Sequence, residues 1–443
     1  MKNLITPTVQ SERIVVLDIL RGIAIFGILL LNIQSFAFPG IVGHDPSTLN
    51  EFGTINYSLW YAVNWIFDGT QRALFSMLFG AGIILFIGRQ QKKSNGLQPA
   101  DYFFRRQLWL ILFSLIDIYL LLWNGDILLD YALCGMLLFV FRDWSPKNLI
   151  LAAVVCSLLM IARENRDTFQ DKKMIQAGEA AAMIDTTKTK LNTQQTKDLE
   201  EMLAFKNRFK QSEKIKKMNS EIEQAIGDYA SVYRFRTDKY LNNLITYTYL
   251  SLWDVLVFMF LGMAFFKLDI ITAKAPNKVY AWMCIIGLAI GLPLSWLYLQ
   301  FRIDNHFSWF EFYKNVPFSF FEISRTARAL GFFGLVMLLY KSGWMSSLFA
   351  MMRPAGQMAF TNYLMQSLIC GVIFNGIGFG LFGQLQRYEV YLVLVAVCLF
   401  QLLFCTVWLK YFNYGPFEWA WRSLTYWKRQ PFIRNLDAPK SIV

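Results

Sequence analysis

The chain sets ionisable side chains inside apolar sequence, at spacings that put them on common helix faces. Asp18 and Arg21 stand three apart at the head of residues 17–32, "LDILRGIAIFGILLLN". Asn32 lies eleven residues past Arg21, close to three full turns, and continues the same stripe. Asp68 and Arg72 pair at a four-residue step, Glu322, Arg325 and Arg328 step by threes, and Asn362 and Gln366 share one face. Between two apolar runs, Trp123-Asn-Gly-Asp126-Ile-Leu-Leu-Asp130-Tyr131 makes a tight turn carrying two carboxylates. Such groups are costly in apolar segments unless they pair with one another or border water.

Each constellation has a structural and a functional reading. Asp18–Arg21 is either an interfacial salt bridge, with Arg21 snorkelling to water, or an anchor for an anionic group. Arg325 and Arg328 suit an anion or a carboxylate. Asn362 and Gln366 suit interhelical hydrogen bonds or ligand contacts, and Asp126 and Asp130 are also placed to cap the next helix. The two histidines, His44 and His306, fall in connecting loops, as candidate general bases or as solvated residues.

The elements that must hold these groups follow from composition. Of 443 residues, 55% are hydrophobic, 17% aromatic and 17% charged, too little charge to cover a soluble surface of that size. Apolar runs long enough to cross about 30 Å of hydrocarbon recur throughout. The fold class is all-α, a polytopic membrane bundle of about ten spans: 14–37, 66–88, 107–123, 127–141, 148–162, 246–266, 279–300, 326–340, 357–375 and 390–409. Lys and Arg, including Arg89, Lys92, Arg105, Arg106, Arg142, Lys267, Lys341 and Arg422, gather on one set of connections. Arg302, Lys314, Arg325 and Arg387 are the few on the other, which puts both termini in the cytoplasm. That distribution also assigns the +12 net charge to topology and excludes nucleic acid as a partner. Residues 163–245 are polar, free of proline and helical in spacing, so they read as an extracytoplasmic helical arm. It separates an N-terminal half, 1–162, from a C-terminal half, 246–443. The six cysteines lie in or beside apolar runs without metal-type spacing, so no metal site is expected. P-loop, dinucleotide-binding, zincin and nucleophile-elbow motifs are absent.

Four blocks carry a family resemblance. They are Leu17-Asp-x-x-Arg-Gly-x-Ala-x-x-Gly-Ile-Leu-Leu-Leu-Asn32; Leu74-Phe-Ser-Met-Leu-Phe-Gly-Ala-Gly82; Trp123-Asn-Gly-Asp-Ile-Leu128; and Gly356-Gln-Met-Ala-Phe-Thr-Asn-Tyr-Leu-Met-Gln-Ser367 with Gly415-Pro-Phe-Glu-Trp-Ala-Trp-Arg422. Together they resemble the YeiB-like bacterial membrane proteins, domain of unknown function 418. The first block is also similar to the opening of transmembrane acyltransferases of the heparan-α-glucosaminide N-acetyltransferase type, in which Asn32 matches an asparagine. That resemblance implies a multi-pass protein of the bacterial inner membrane that moves an acyl group from a cytoplasmic donor, acetyl-CoA or another acyl-CoA, to an extracytoplasmic acceptor such as a sugar. It implies no bound cofactor. Where YeiB-like relatives often carry histidine, this chain has Asp117, so Asp117, Asp126 or His44 would serve as base, with Asp18, Arg21, Asn32, Arg325 and Arg328 at the substrates. The alternatives are a transporter of a small anionic solute and a membrane scaffold. Trp419, Trp421 and Trp427 suit a membrane interface or a homodimer contact.

Overall fold

The computed structural model describes residues 13–93 and 96–434. In chain order its helices are α1 (Val15–Ala37), α2 (Gly40–His44), α3 (Ile55–Phe67), α4 (Thr70–Lys93), α5 (Gln98–Tyr119), α6 (Leu128–Leu138), α7 (Pro146–Ala182), α8 (Thr193–Asn207) and α9 (Gln211–Ile226). They continue with α10 (Tyr229–Lys267), α11 (Asn277–Asp304), α12 (Trp309–Asn315), α13 (Phe321–Ser342), α14 (Ser346–Gln357), α15 (Ala359–Phe374), α16 (Arg387–Tyr411) and α17 (Pro416–Tyr426). The chain is a helical membrane bundle. Among the described residues, six segments are long and apolar enough to cross a bilayer: α1, α3 with α4, α7, α11, α13 and α16. The expected spans at 127–141 and 357–375 are shorter apolar helices, and those at 107–123 and 246–266 lie within or overlap α5 and α10.

Charge and polarity change along two of these helices while the backbone does not. α7 runs unbroken from the expected fifth span into the polar arm, and α10 runs from the arm into the expected sixth span. The boundaries at 162/163 and 245/246 thus fall inside continuous helices, and the arm is an extension of the bundle. Only α8 and α9 are added to it. α8 lies on α7, where Met202, Ile175 and Phe310 form a small apolar cluster.

Two helix breaks place the buried polar groups. The second expected span begins at Thr70, because Gly69 adopts φ +74° and separates α3 from α4. A Cβ there would sit 2.2 Å from Cδ of Arg325, so glycine alone fits. The second break, at Met358, divides α14 from α15. The free amides at the start of α15 are met by Glu418 of α17, whose carboxylate accepts from Phe360 N–H (2.8 Å), Thr361 N–H (3.0 Å) and the Thr361 hydroxyl (2.5 Å). The last family-like block therefore caps the helix that holds the one before it.

α1 runs through the core with most of its side chains buried. It crosses α14 at backbone contact: a Cβ on Gly356 would lie 1.6 Å from the Asp18 carbonyl oxygen, and one on Gly22 would lie 2.2 Å from that of Met352. Small residues allow that approach, which is how apolar helices gain packing where lipid supplies no hydrophobic drive.

Candidate functional site

That crossing forms one wall of a cavity of about 230 Å³. Its mouth, at the N-terminal end of α1, carries five guanidiniums, those of Arg13, Arg21, Arg89, Arg106 and Arg422. Its flanks are apolar, including Phe75, Phe79, Phe86, Phe103 and Leu110, and its inner end reaches Leu128, Tyr131 and Tyr363. The carboxylates on the lining are Asp18 and Glu418, so the mouth carries an excess of positive charge. Both carboxylates are committed. Asp18 lies 3.4 Å from Arg21 and 3.6 Å from Arg13, and Glu418 caps α15. Arg106 is held by rings instead, 3.9 Å from the Trp421 centroid and 5.1 Å from that of Phe86. Burial holds the Arg422 guanidinium below its usual pKa, partly opposed by Tyr414, with Arg13 adding like charge. Such a mouth favours a multiply charged anion.

The inner end is built by a loop that folds back. After α5 ends, residues 120–127 return along it, so that the Ser114 hydroxyl, more than a turn before the helix end, donates to Asp126. Non-helical backbone at that depth is tolerated where protein covers it, and Trp123, 2% exposed, stacks on Phe36 at 3.7 Å. Asp126 also accepts from Leu129 N–H at 3.2 Å, capping α6, and from the Tyr363 hydroxyl at 3.3 Å. The Tyr363 oxygen accepts from Ile127 N–H at 3.2 Å, so the hydroxyl is held from both sides. Asp117 is fully buried against Asp126, Ser367 and Tyr363, with neither carboxylate oxygen in good hydrogen-bonding geometry. Two carboxyl groups thus lie behind the Tyr363 phenol that lines the cavity's inner end, neither of them on the lining itself, an arrangement able to hold or move one proton.

The other residues singled out in the sequence divide. Asp18 and Arg21 line the cavity. Asn32, on the same helix, does not; fourteen residues beyond Asp18, it lies about 21 Å along the axis. His44 is exposed and lies away from the cavity, its carbonyl accepting from Arg302 at 2.8 Å. Arg325 joins a separate buried ionic cluster with Asp254 and Glu322, in which Arg72 reaches Asp254 at 2.7 Å. Arg328 closes the end of α3, donating to the carbonyls of Trp65 (2.7 Å) and Asp68 (3.1 Å). Asn362 and Gln366 make interhelical bonds, Asn362 to Ala355 O (3.0 Å) and Cys405, and Gln366 to Gln401 (3.0 Å) and Ile25 O. Asn362 and Gln366 thus make hydrogen bonds between helices, and Arg328 is engaged by main-chain carbonyls. Spacing within single helices does not single out Arg13, Arg89, Arg106, Arg422 or Tyr363 as site residues. A signal for Tyr363 and Arg422 is present, since each sits in a family-like block, whereas Arg89 and Arg106 look in sequence only like topology charges.

Comparison with known proteins gives relatives along nearly the whole chain. The profile of a family described as "Protein of unknown function (DUF418)" matches residues 265–428. The chain is 30% identical to the uncharacterised protein YxaH of Bacillus subtilis (strain 168), over 97% of this chain and 98% of that one. It is 29% identical to the uncharacterised protein YeiB of Escherichia coli (strain K12), over 94% of this chain and 96% of that one. A 39.9 kDa protein from the amylase 3′ region of Bacillus acidopullulyticus is 25% identical over 98% and 99% of the two chains. No solved structure matches. With end-to-end similarity to YxaH and YeiB and a matching profile over its C-terminal half, the chain belongs to the YeiB-like DUF418 family of membrane proteins.

Proposed function

We propose that this protein is a membrane acyltransferase that takes its acyl group from a phosphate-rich donor of the acyl-CoA class. The observation supporting the reading is a single cavity that joins a cluster of arginines at its mouth to the Tyr363 side chain at its inner end, whose hydroxyl donates to Asp126 behind the wall. By the positive-inside rule that mouth faces the cytoplasm of the cell, where the donor is made. Arg13, Arg21, Arg89, Arg106 and Arg422 would hold the phosphates, and the aromatic and aliphatic flanks would take the thioester arm. The reaction is acyl transfer. An acceptor hydroxyl or amine attacks the thioester carbonyl and the C–S bond breaks; the acceptor's proton passes through the Tyr363 hydroxyl to the Asp126–Asp117 carboxyl pair and is returned to the departing thiolate, which leaves as the thiol. Tyr363, held between Asp126 and Ile127 N–H, orients the receiving carboxylate.

The test uses purified full-length protein in detergent or nanodiscs. Acetyl-CoA at about a hundred times its Kd stabilises the fold by about 2.7 kcal/mol. Arg106→Gln and Arg422→Gln weaken that response, and isotope from the acetyl group appears in a membrane-associated product. No stabilisation by acetyl-CoA or CoA, or a response untouched by both substitutions, refutes the reading. Carriage of an anionic solute is a second reading, favoured by the excess of arginine at the cavity mouth. Solute exchange in vesicles without acyl donor would support it.

A further inference from the structure

If the donor comes from one face, the acceptor must reach Asp126 from the other, and that route is stacked shut. Outward from Asp126 come Trp123 and Phe36, stacked at 3.7 Å. Next is the end of α1, where Ala37 O accepts from Gly383 N–H at 2.7 Å and Arg236 donates toward the carbonyls of Ser35 and Phe36, each at 3.5 Å. The glycine-bearing loop of residues 376–383 lies over that end, and α9 lies over the loop. Gly376 N–H donates to Ala225 O at 2.9 Å, and a Cβ on Gly383 would lie 2.7 Å from the Ile222 side chain.

α8 and α9 are held differently. α8 is packed, through Met202, Ile175 and Phe310. α9 joins the main core only at its C-terminal half, through Ala225 with Met218 and Ile222, and is otherwise fastened by polar contacts: Lys214 to Asp45 at 2.6 Å, and Glu221, which accepts from Gly40 N–H at 3.0 Å and pairs with Lys239 at 3.3 Å. Lys214 and Asp45 are 4% and 5% exposed, a fully buried ion pair joining α9 to the loop after α2. A buried ion pair is a weak way to gain stability but gives a geometry that one lost partner undoes. Gly227 ends α9 and the short segment 208–210 begins it, leaving a rigid rod between two turns.

We infer that α9 is a latched lid over the acceptor route, with Lys214–Asp45 as the latch. When the pair parts, α9 swings on Gly227 and residues 208–210, and the 376–383 loop follows it off the end of α1. This rests on the acyl-transfer reading for what passes beneath the lid, not for the motion itself.

The test reads the motion without any acyl donor. Ala37, 1% exposed and small, is replaced by cysteine as a reporter, and its reaction with a membrane-impermeant maleimide is timed in the full chain in nanodiscs. Lys214→Glu, which sets two carboxylates against each other, raises the labelling rate on the order of a hundredfold, since labelling follows the open population. Asp45→Lys combined with Lys214→Glu restores an attractive pair and brings the rate back toward that of the parent. Unchanged labelling in Lys214→Glu, or labelling raised equally by the single and the double substitution, overturns the lid. A protein that fails to transfer acyl groups yet shows the rise and the rescue loses its proposed chemistry and keeps its lid.

Discussion

Gly356→Ala isolates what the crossing of α1 and α14 contributes. The added methyl would stand 1.6 Å from the Asp18 carbonyl oxygen, 2.6 Å from its carbon and 2.8 Å from Gly22 N, all backbone atoms that no rotamer change can move. Restoring ordinary contact needs the two helices to part by about 1.5–2 Å, and overpacking on that scale costs about 1–3 kcal/mol or more. For a chain of this length that lowers the melting midpoint by about 1–3 °C. The same displacement carries Asp18 and Arg21 off the cavity wall, so the stabilisation by acetyl-CoA should shrink with the midpoint. Gly88→Ala is the matched control. Gly88 lies within α4 with nothing near its Cβ position, and there alanine is favoured by about 0.8–1 kcal/mol of helix propensity. The assay is thermal unfolding of both variants with and without donor. A Gly356→Ala protein that melts with the parent and responds fully to donor would refute the claim that this crossing sets the cavity.

Three further outcomes follow from the contacts described. Tyr363→Phe removes the hydroxyl between Ile127 N–H and Asp126, and should lower acyl transfer by about a hundredfold while leaving donor-induced stabilisation in place; loss of both together would place Tyr363 in binding. Asp254→Asn strips the shared partner from Arg72 and Arg325 and should cost about 3–5 kcal/mol in unfolding measurements. Gln366→Leu leaves the Gln401 carbonyl oxygen without its donor and should cost about 1–3 kcal/mol, whereas Gln366→Leu with Gln401→Leu should recover much of that loss, and neither should alter the donor response.

How far the sequence disclosed this arrangement depends on whether a signal is local. The three-residue step from Asp18 to Arg21 fixes a shared face, and the pair does border a chamber. Beyond the α1–α14 crossing, the chamber's walls come from α4, α5, α6, α15 and α17, and nothing local to Arg89 or Arg106 says that they will meet there. The blocks at 356–367 and 415–422 were visible as motifs, but Glu418 capping α15 is a contact between separate helices that spacing cannot encode. The change from apolar to charged sequence at residue 163 marks where α7 leaves an apolar environment, yet helix propensity is nearly indifferent to that change, so the helix continues. Gly69 and Met358 interrupt helices for reasons that lie in Arg325 and Glu418, far away in the chain. For Asn362 and Gln366, amides suit a ligand and a neighbouring helix equally, and only the positions of Cys405 and Gln401 decide.

The unbroken rods α7 and α10 give the molecule a handle. At 1.5 Å per residue, 37 and 39 residues extend about 55–58 Å, nearly twice the thickness of the hydrocarbon layer. Against about 40–45 Å for hydrocarbon and headgroups together, each rod is therefore longer than a bilayer by about 10–18 Å. Membrane bundles without such a projection look alike from many directions. This one is lopsided, which supplies a built-in fiducial for aligning images and a solvent-facing epitope for antibody fragments, with no fusion partner required.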